Sequence, residues 1–332
     1  DHATEQENYF KTTCTPLTYR AAATNGLLSL RKRPLAENET DTGIFPEWQI
    51  IAPKDLTWEN LVHSIGELRN WGYCLEIPTS DGKGDELGHD RVCDRCAERF
   101  IVSKDKWQSC TYHPARPVYK KVDGTRITTW PCCEQTGTGC VVGHTHVFKI
   151  THEPRLAAYQ PYRQLPMRRK ESLDVAALDC EMVYTTASME LARVSVISSQ
   201  GDILLDRFVK PAFPVLDLNT TYSGVMQHNL DGAISFEEMH QQLIHIGMHR
   251  DTILIGHGLD NDLTALRLVH HRVIDSAILF PHPRGRPYRL KLKDLSSRYL
   301  ARQIQVNDSA TGHDPTEDAL AALDLVRWRL VN

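Results

Sequence analysis

An α/β domain on a mixed sheet, preceded by a Cys/His zinc-binding module and a small, mostly helical N-terminal region, is the fold class this sequence predicts. Two observations carry that reading. From residue 173 onward three strand-like runs follow one another and then give way to alternating helical and strand-like runs, the pattern of a layered sheet with mixed pairing. Ahead of them, Cys93, Cys96, Cys110, Cys132, Cys133 and Cys140 crowd together with His113, His144 and His146.

The chain as a whole sets bounds. Its 332 residues exceed one typical domain and suit two or three compact units. With 41% hydrophobic and 24% charged residues it has the composition of an ordinary globular protein with a real core. No run approaches a membrane span and no signal-peptide pattern opens the sequence, so no membrane association is expected. A secreted disulfide scaffold would be smaller and denser in cysteine, which points to a reducing, intracellular setting, nucleus or cytoplasm. The net charge of −4 does not by itself suggest a polyanionic partner. Two basic strips do exist, 155–170 and 284–302, and a solvated face is the plain explanation of either alone.

Residues 1–85 read as a partly helical region. In TWENLVHSIGELRNWGY, Leu61, Val62, Ile65 and Leu68 recur at helical spacing, Thr57 stands where an N-cap belongs, and Gly72 suits the stop. The polar, Gly-rich stretch 79–90 marks a boundary, residues 86–150 hold the Cys/His module, and residues 151–171 form a basic linker. The last unit, 172–332, opens with LDVAALDCEMVYT, ELARVSVISS and DILLDRFVKP as strands. A helix near 235–249, a strand at 252–255, a helix from about 261, an apolar run over 273–280 and two more helices follow. His245 and His249 lie four apart on the first of these helices; with no third ligand evident they read as a surface face.

The Cys/His region pairs off as Cys93-x2-Cys96, Cys110-x2-His113, Cys132-Cys133 and Cys140-x5-His146. Eight soft ligands in pairs satisfy two tetrahedral zinc ions, and a CxxC or C-x2-H turn can deliver two ligands to one ion. His144 competes with His146 for the last place, and which pairs share an ion is open. With no open coordination position the zinc would be structural, holding a segment too poor in apolar residues to fold alone. The layout resembles the cysteine- and histidine-rich modules of the CHORD type.

ALDCEM, residues 177–182, places Asp179 and Glu181 on one side of a strand, because successive side chains alternate faces. Two like charges at the end of a buried strand repel, and a divalent cation turns that penalty into affinity. More carboxylates should then arrive from elsewhere. ILIGHGLDNDLTAL runs from an apolar strand into a helix whose first turn carries Asp260 and Asp262. GHDPTEDALAALDLV opens a helix with Asp314 as N-cap, Pro315 at N1 and Glu317 at N3, a capping box. Asp318 lies one turn in, with His313 just before the cap. Taken singly, helix capping explains Asp262 or Asp318, and a loop position explains His313.

Together, Asp179, Glu181, Asp262, His313 and Asp318 resemble in order and spacing the DEDDh 3′→5′ exonucleases. The D-x-E motif is Asp179-Cys180-Glu181, the second motif is Asn261-Asp262, and H-x4-D runs from His313 to Asp318. ALDCEMVY, GHGLDNDLTAL, LKDLSSRYL and GHDPTEDALAAL are similar to the eukaryotic RNA exonuclease branch, and the Cys/His module ahead of them suggests its fungal RNA exonuclease 3 type. The resemblance implies a ribonuclease H-like fold and two-metal hydrolysis. Asp179, Glu181, Asp262 and Asp318 would hold two Mg²⁺ or Mn²⁺ ions, with Asp179 shared, and His313 would act as general base. The substrate would be RNA with a free 3′ end, released as 5′-nucleotides, and Cys180 would be core. Tyr222-Ser223-Gly224 resembles a family loop near the active site. DNA as substrate, or a zinc-organised RNA-binding scaffold with weak nuclease activity, stay open, although no core motif residue is missing.

Overall fold

Residues 57–80, 82, 84–122, 125–134, 137–305 and 312–332 are described in this computed structural model; the expectation for residues 1–56 lies outside them. The single helix expected in TWENLVHSIGELRNWGY is two pieces. Trp58–Leu61 makes a short 3-10 turn without a side-chain cap from Thr57, and the backbone then extends at Val62. Helix α1 (Ile65–Asn70) starts afresh, with Ser64 and Glu67 closing a reciprocal capping box. That box satisfies two backbone amides at once, so it wins over the lone Thr57. Trp58 and Leu68 both pack against the large sheet described below.

The Cys/His region is built from short strands: β1 (Asp90–Val92), β2 (Arg99–Ile101), β3 (Cys110–Tyr112), β4 (Val118–Val122), β5 (Thr125–Thr129) and β6 (Val141–Gly143). They form three two-stranded antiparallel ladders, β1 with β2, β3 with β6, and β4 with β5. Phe100, Val102, Val147 and Phe148 make a small apolar cluster around Cys93 and Cys110, completed by Leu216 from the sheet domain. In the following segment α2 (Glu153–Tyr159) buries Leu156 beside Tyr162 and Val269.

The large sheet takes its strands as β7 (Val175–Thr185), β8 (Met189–Ser198), β9 (Ile203–Phe208) and β10 (Val215–Asp217). After α3 (Thr220–Ser223), α4 (Gln227–Asp231) and α5 (Phe236–His245) come β11 (Ile253–Gly256), α6 (Leu259–Ala265) and β12 (Val273–Asp275). Helices α7 (Ser276–Leu279), α8 (Leu292–Leu295) and α9 (Pro315–Val331) close the domain. The strand order is β12-β11-β7-β8-β9, with β10 on the far end of β7. Strands β7, β8 and β9 form an antiparallel meander, and β11 and β12 continue the sheet parallel to β7. This is the mixed sheet the sequence predicts.

Alternation along β7 divides the core in two. Ala176, Leu178 and Cys180 point into the cluster that α5 and α6 cover, whereas Val175 and Ala177 meet Ala319, Leu323 and Val326 of α9. The helix expected over 235–249 is shorter. It ends at His245, and Gly247, at φ +96°, turns the chain away. His245 and His249 therefore share no helical face, and His249 is buried, its Nδ1 accepting from the Asp251 amide at 3.1 Å.

Candidate metal and catalytic centre

The side of β7 that meets α9 through Val175 and Ala177 carries Asp179 and Glu181 next in register, while Cys180 joins the opposite core. Strand β11 runs beside β7 with Ile255 opposite Ala177, so it ends next to the two acids. The chain turns there into α6. A Cβ at Gly256 would lie 2.4 Å from Leu259 Cδ2 and 2.9 Å from the Leu178 carbonyl, so only glycine lets the helix start this close to the strand. Asp262 consequently reaches the same crevice and is buried.

Asp275 supports that turn and was not singled out from the sequence, where it sits in the apolar run over 273–280. Its Oδ1 accepts from the Gly258 amide at 2.8 Å and from the Ala277 amide at 2.8 Å, and its Oδ2 from the Tyr73 hydroxyl at 2.6 Å.

Helix α9 brings the remaining pair. Asp314 caps it through the Thr316 amide at 3.2 Å. The expected capping box does not close. Glu317 turns outward instead, accepting from the Gln305 amide at 3.0 Å, while the Gln305 side-chain amide donates to Asp318 Oδ2 at 2.8 Å. The Thr316 and Ser195 hydroxyls, 3.1 Å apart, tie the helix start to β8. His313 Nδ1 lies 3.7 Å from Asp318 Oδ2. The loop Tyr222-Ser223-Gly224 fixes the backbone of His313: the His313 amide donates to the Tyr222 carbonyl at 2.9 Å. A Cβ at Gly312 would fall 2.0 Å from the Gly224 nitrogen, so the two loops meet through bare backbone.

All five predicted residues are thus brought to one crevice, and their electrostatics show how poorly it suits free carboxylates. Burial is the largest cause for each, and neighbouring negative charge adds to it. Asp179 is pushed well above the carboxylate range by burial and then by Asp262, Asp318 and Glu181. Glu181 rises to about 9 through burial, Asp318 and Asp262, with Arg193 opposing. Asp262 rises to about 8 through burial and the charges of Asp260 and Asp275. Asp318 rises to about 7 through burial, partly offset by Gln305. Among the described residues, Asp318 Oδ1 is buried without a hydrogen-bond partner. Hard oxygen donors, mutual repulsion and one orphaned carboxylate oxygen are what a divalent cation would satisfy. His313 moves the other way, its pKa lowered by burial and by Lys293, which leaves the imidazole neutral near pH 7.

The Cys/His ligands gather into two groups. Cys93, Cys96, Cys110 and His146 form one, and His113, Cys132, Cys133 and Cys140 the other, with ligand atoms within 4.8 Å of one another in each. The pair Cys110-x2-His113 therefore does not serve one ion, and neither does Cys140-x5-His146. The register of β3 and β6 explains this: Cys110 lies opposite Gly143 and Tyr112 opposite Val141, so the ladder sends Cys110 and His146 to one end and His113 and Cys140 to the other. His144 stays out of both groups, its Nε2 2.8 Å from the Leu216 carbonyl. His113 places Nε2 3.2 Å from the Gly137 carbonyl, which leaves Nδ1 facing Cys132 and Cys133 at 3.5 Å each. An imidazole so oriented is ready to ligate a soft metal through Nδ1.

The basic strips are only partly available. Arg289 pairs with Asp260 and Arg302 with Asp324, while Arg155 pairs with Glu86 and Arg163 with Glu237. Arg284, Lys291, Lys293 and Arg298 are exposed. Among the described residues no helix is long and apolar enough to cross a membrane.

No family model matches the chain. Individual proteins do. The Eremothecium gossypii protein named RNA exonuclease 3 is 34% identical over 283 residues, covering 82% of this chain and 71% of that protein. The chain belongs to the RNA exonuclease 3 family. A second member, RNA exonuclease 3 of Schizosaccharomyces pombe, is 40% identical over 98% of the chain, which spans only 57% of that relative's length. Among solved structures, the Neurospora crassa Pan2 catalytic unit (protease and nuclease domain) aligns with 50% of this chain and 29% of its own, at a TM-score of 0.43 and 24% identity.

Proposed function

We propose that the chain is a metal-dependent 3′→5′ exoribonuclease that takes RNA with a free 3′ end and releases 5′-nucleotides. The convergence of Asp179, Glu181, Asp262 and Asp318 on one crevice with His313 at its edge carries the reading, and the names borne by the family members support it. Mg²⁺ or Mn²⁺, when bound, would acidify a water and neutralise charge on the leaving 3′ oxygen. The protein's part follows from its own side chains. Asp179 feels the charge of the other three acids and is the ligand suited to be shared. Glu181, Asp262 and Asp318 would complete the set of oxygen ligands. His313, neutral because its pKa is depressed, accepts the proton of the attacking water. Exposed Lys291, Lys293, Arg284 and Arg298 would meet the RNA backbone.

The two Cys/His groups are read as structural zinc sites, each closed by four ligands and without a place for substrate. Free cysteines throughout the described residues suit a reducing, intracellular setting.

The deciding assay supplies 5′-labelled single-stranded RNA and DNA of one sequence, with Mg²⁺, with Mn²⁺, or with neither. Stepwise shortening of RNA from its 3′ end, dependent on either ion, is expected. Internal cleavage, or DNA degraded faster than RNA, would contradict the reading.

A further inference from the structure

An open groove separates the Cys/His region from the loop that holds His313. Trp107, Val142 and His144 stand on one side of it, Tyr222 and Gln227 on the other, with Arg95 in the floor. Its aromatic surface is exposed yet fixed. Trp107 is 53% exposed, but its Nε1 donates to the Lys104 carbonyl at 2.8 Å and its ring packs 4.8 Å from that of His144. Tyr222 is 42% exposed. A side chain already held in place loses little freedom when a ligand stacks on it.

The charge in the groove suits an anionic strand. Asp217, the carboxylate among its described lining residues, is held by Arg95 at 2.6 Å, and that guanidinium lies over the rings of Tyr112 and Tyr184. Trp107 is flanked by exposed Lys104 and Lys106, with exposed Asp105 between them. Aromatic platforms beside cations, without a free acid in the groove, are how single-stranded nucleic acid is held irrespective of sequence. The groove also adjoins the loop that carries His313, since Tyr222 lines the groove and gives its carbonyl to the His313 amide.

We propose that this groove takes the single-stranded RNA segment immediately 5′ of the end held at the carboxylates, with bases stacking on Trp107 and Tyr222. The inference rests on the exoribonuclease reading and gives the Cys/His region a part in substrate binding. It is tested by comparing a long unstructured RNA with a trinucleotide. Trp107→Ala should raise KM for the long RNA roughly tenfold, leave its kcat and the turnover of the trinucleotide unchanged, and be largely rescued by Trp107→Phe. Equal losses on both substrates, or none on either, overturn the proposal.

The same proteins are also titrated with fluorescently labelled RNA without added divalent ions, so that binding is read independently of hydrolysis. Wild-type binding that ignores RNA length, or Trp107→Ala binding the long RNA as tightly as wild type, overturns the proposal; a surface serving a protein partner would give the second result. An inactive wild-type protein whose long-RNA binding still falls roughly tenfold in Trp107→Ala refutes the nuclease reading and upholds the groove.

Discussion

Asp179, Glu181, Asp262 and Asp318 stand on a sheet strand and two helices backed by apolar clusters on both faces of the sheet. Cys93, Cys96, Cys110, His146 and their four counterparts hang from strands of three to five residues and the loops between them, and one small apolar cluster backs the first group. In the first region the fold holds four repelling acids together, and on the proposed reading a cation would be the guest. In the second there is little apolar surface to hold the chain, and a bound zinc ion would do that work. Donor chemistry follows the same division, with hard oxygens aimed at a crevice and soft sulfur and imidazole closed on themselves.

The largest effect expected from breaking this contrast is at the shared acid. Asp179→Asn should abolish hydrolysis by at least about 10⁴-fold, as loss of a central catalytic group does. The thermal stability of the metal-free protein should not fall, because the amide replaces a buried carboxyl whose ionisation is disfavoured there. Next comes Cys93→Ser. Zinc content should drop from about two ions to about one, and hydrogen exchange over residues 86–150 should quicken while β7 and β8 stay protected.

The third expectation is the pH dependence of metal-free stability. The carboxyls of Glu181, Asp262 and Asp318 are raised to about 9, 8 and 7, so the folded state keeps protons that the unfolded chain gives up in the ordinary carboxylate range. Stability should therefore be highest on the acid side and fall as pH rises from the ordinary carboxylate range towards 9. Added Mg²⁺ should recover more at pH 8 than at pH 6, because at pH 6 protons still occupy its ligands. A denaturation series with and without Mg²⁺ reads both, and stability rising with pH would contradict the electrostatic account. The smallest effect is at the surface: neutralising Lys291 and Arg298 should flatten the salt dependence of RNA binding by about one unit of slope per lost phosphate contact.

What the sequence made legible were features whose signal is local and chemically distinctive. Alternation in LDVAALDCEMVYT marks both the strand and the face of its acids, and Asp262, His313 and Asp318 sit at helix starts that announce themselves. Ser64-x-x-Glu67 is equally readable as a capping box, a stronger helix start than Thr57 alone. Other features depend on partners far along the chain. The division of the Cys/His ligands follows from the register of β3 against β6, about thirty residues apart, which no turn spacing reveals. Gln305 captures Glu317 and Asp318 from a loop with no motif, and the capping box gives way because a backbone amide there needs an acceptor. Tyr222 acts through its carbonyl, which no residue type encodes.

The account turns on His313 moving a proton while the acids hold metal, and one measurement separates those roles: single-turnover RNA cleavage as a function of pH for His313→Ala beside wild type and Asp179→Asn. His313→Ala should lose about 10²–10⁴-fold near neutrality, bind Mn²⁺ as wild type does, and regain rate steadily as rising pH supplies hydroxide. Asp179→Asn should stay flat and bind Mn²⁺ weakly. Identical pH profiles and identical Mn²⁺ affinities for the two variants would contradict the division of labour between base and ligands.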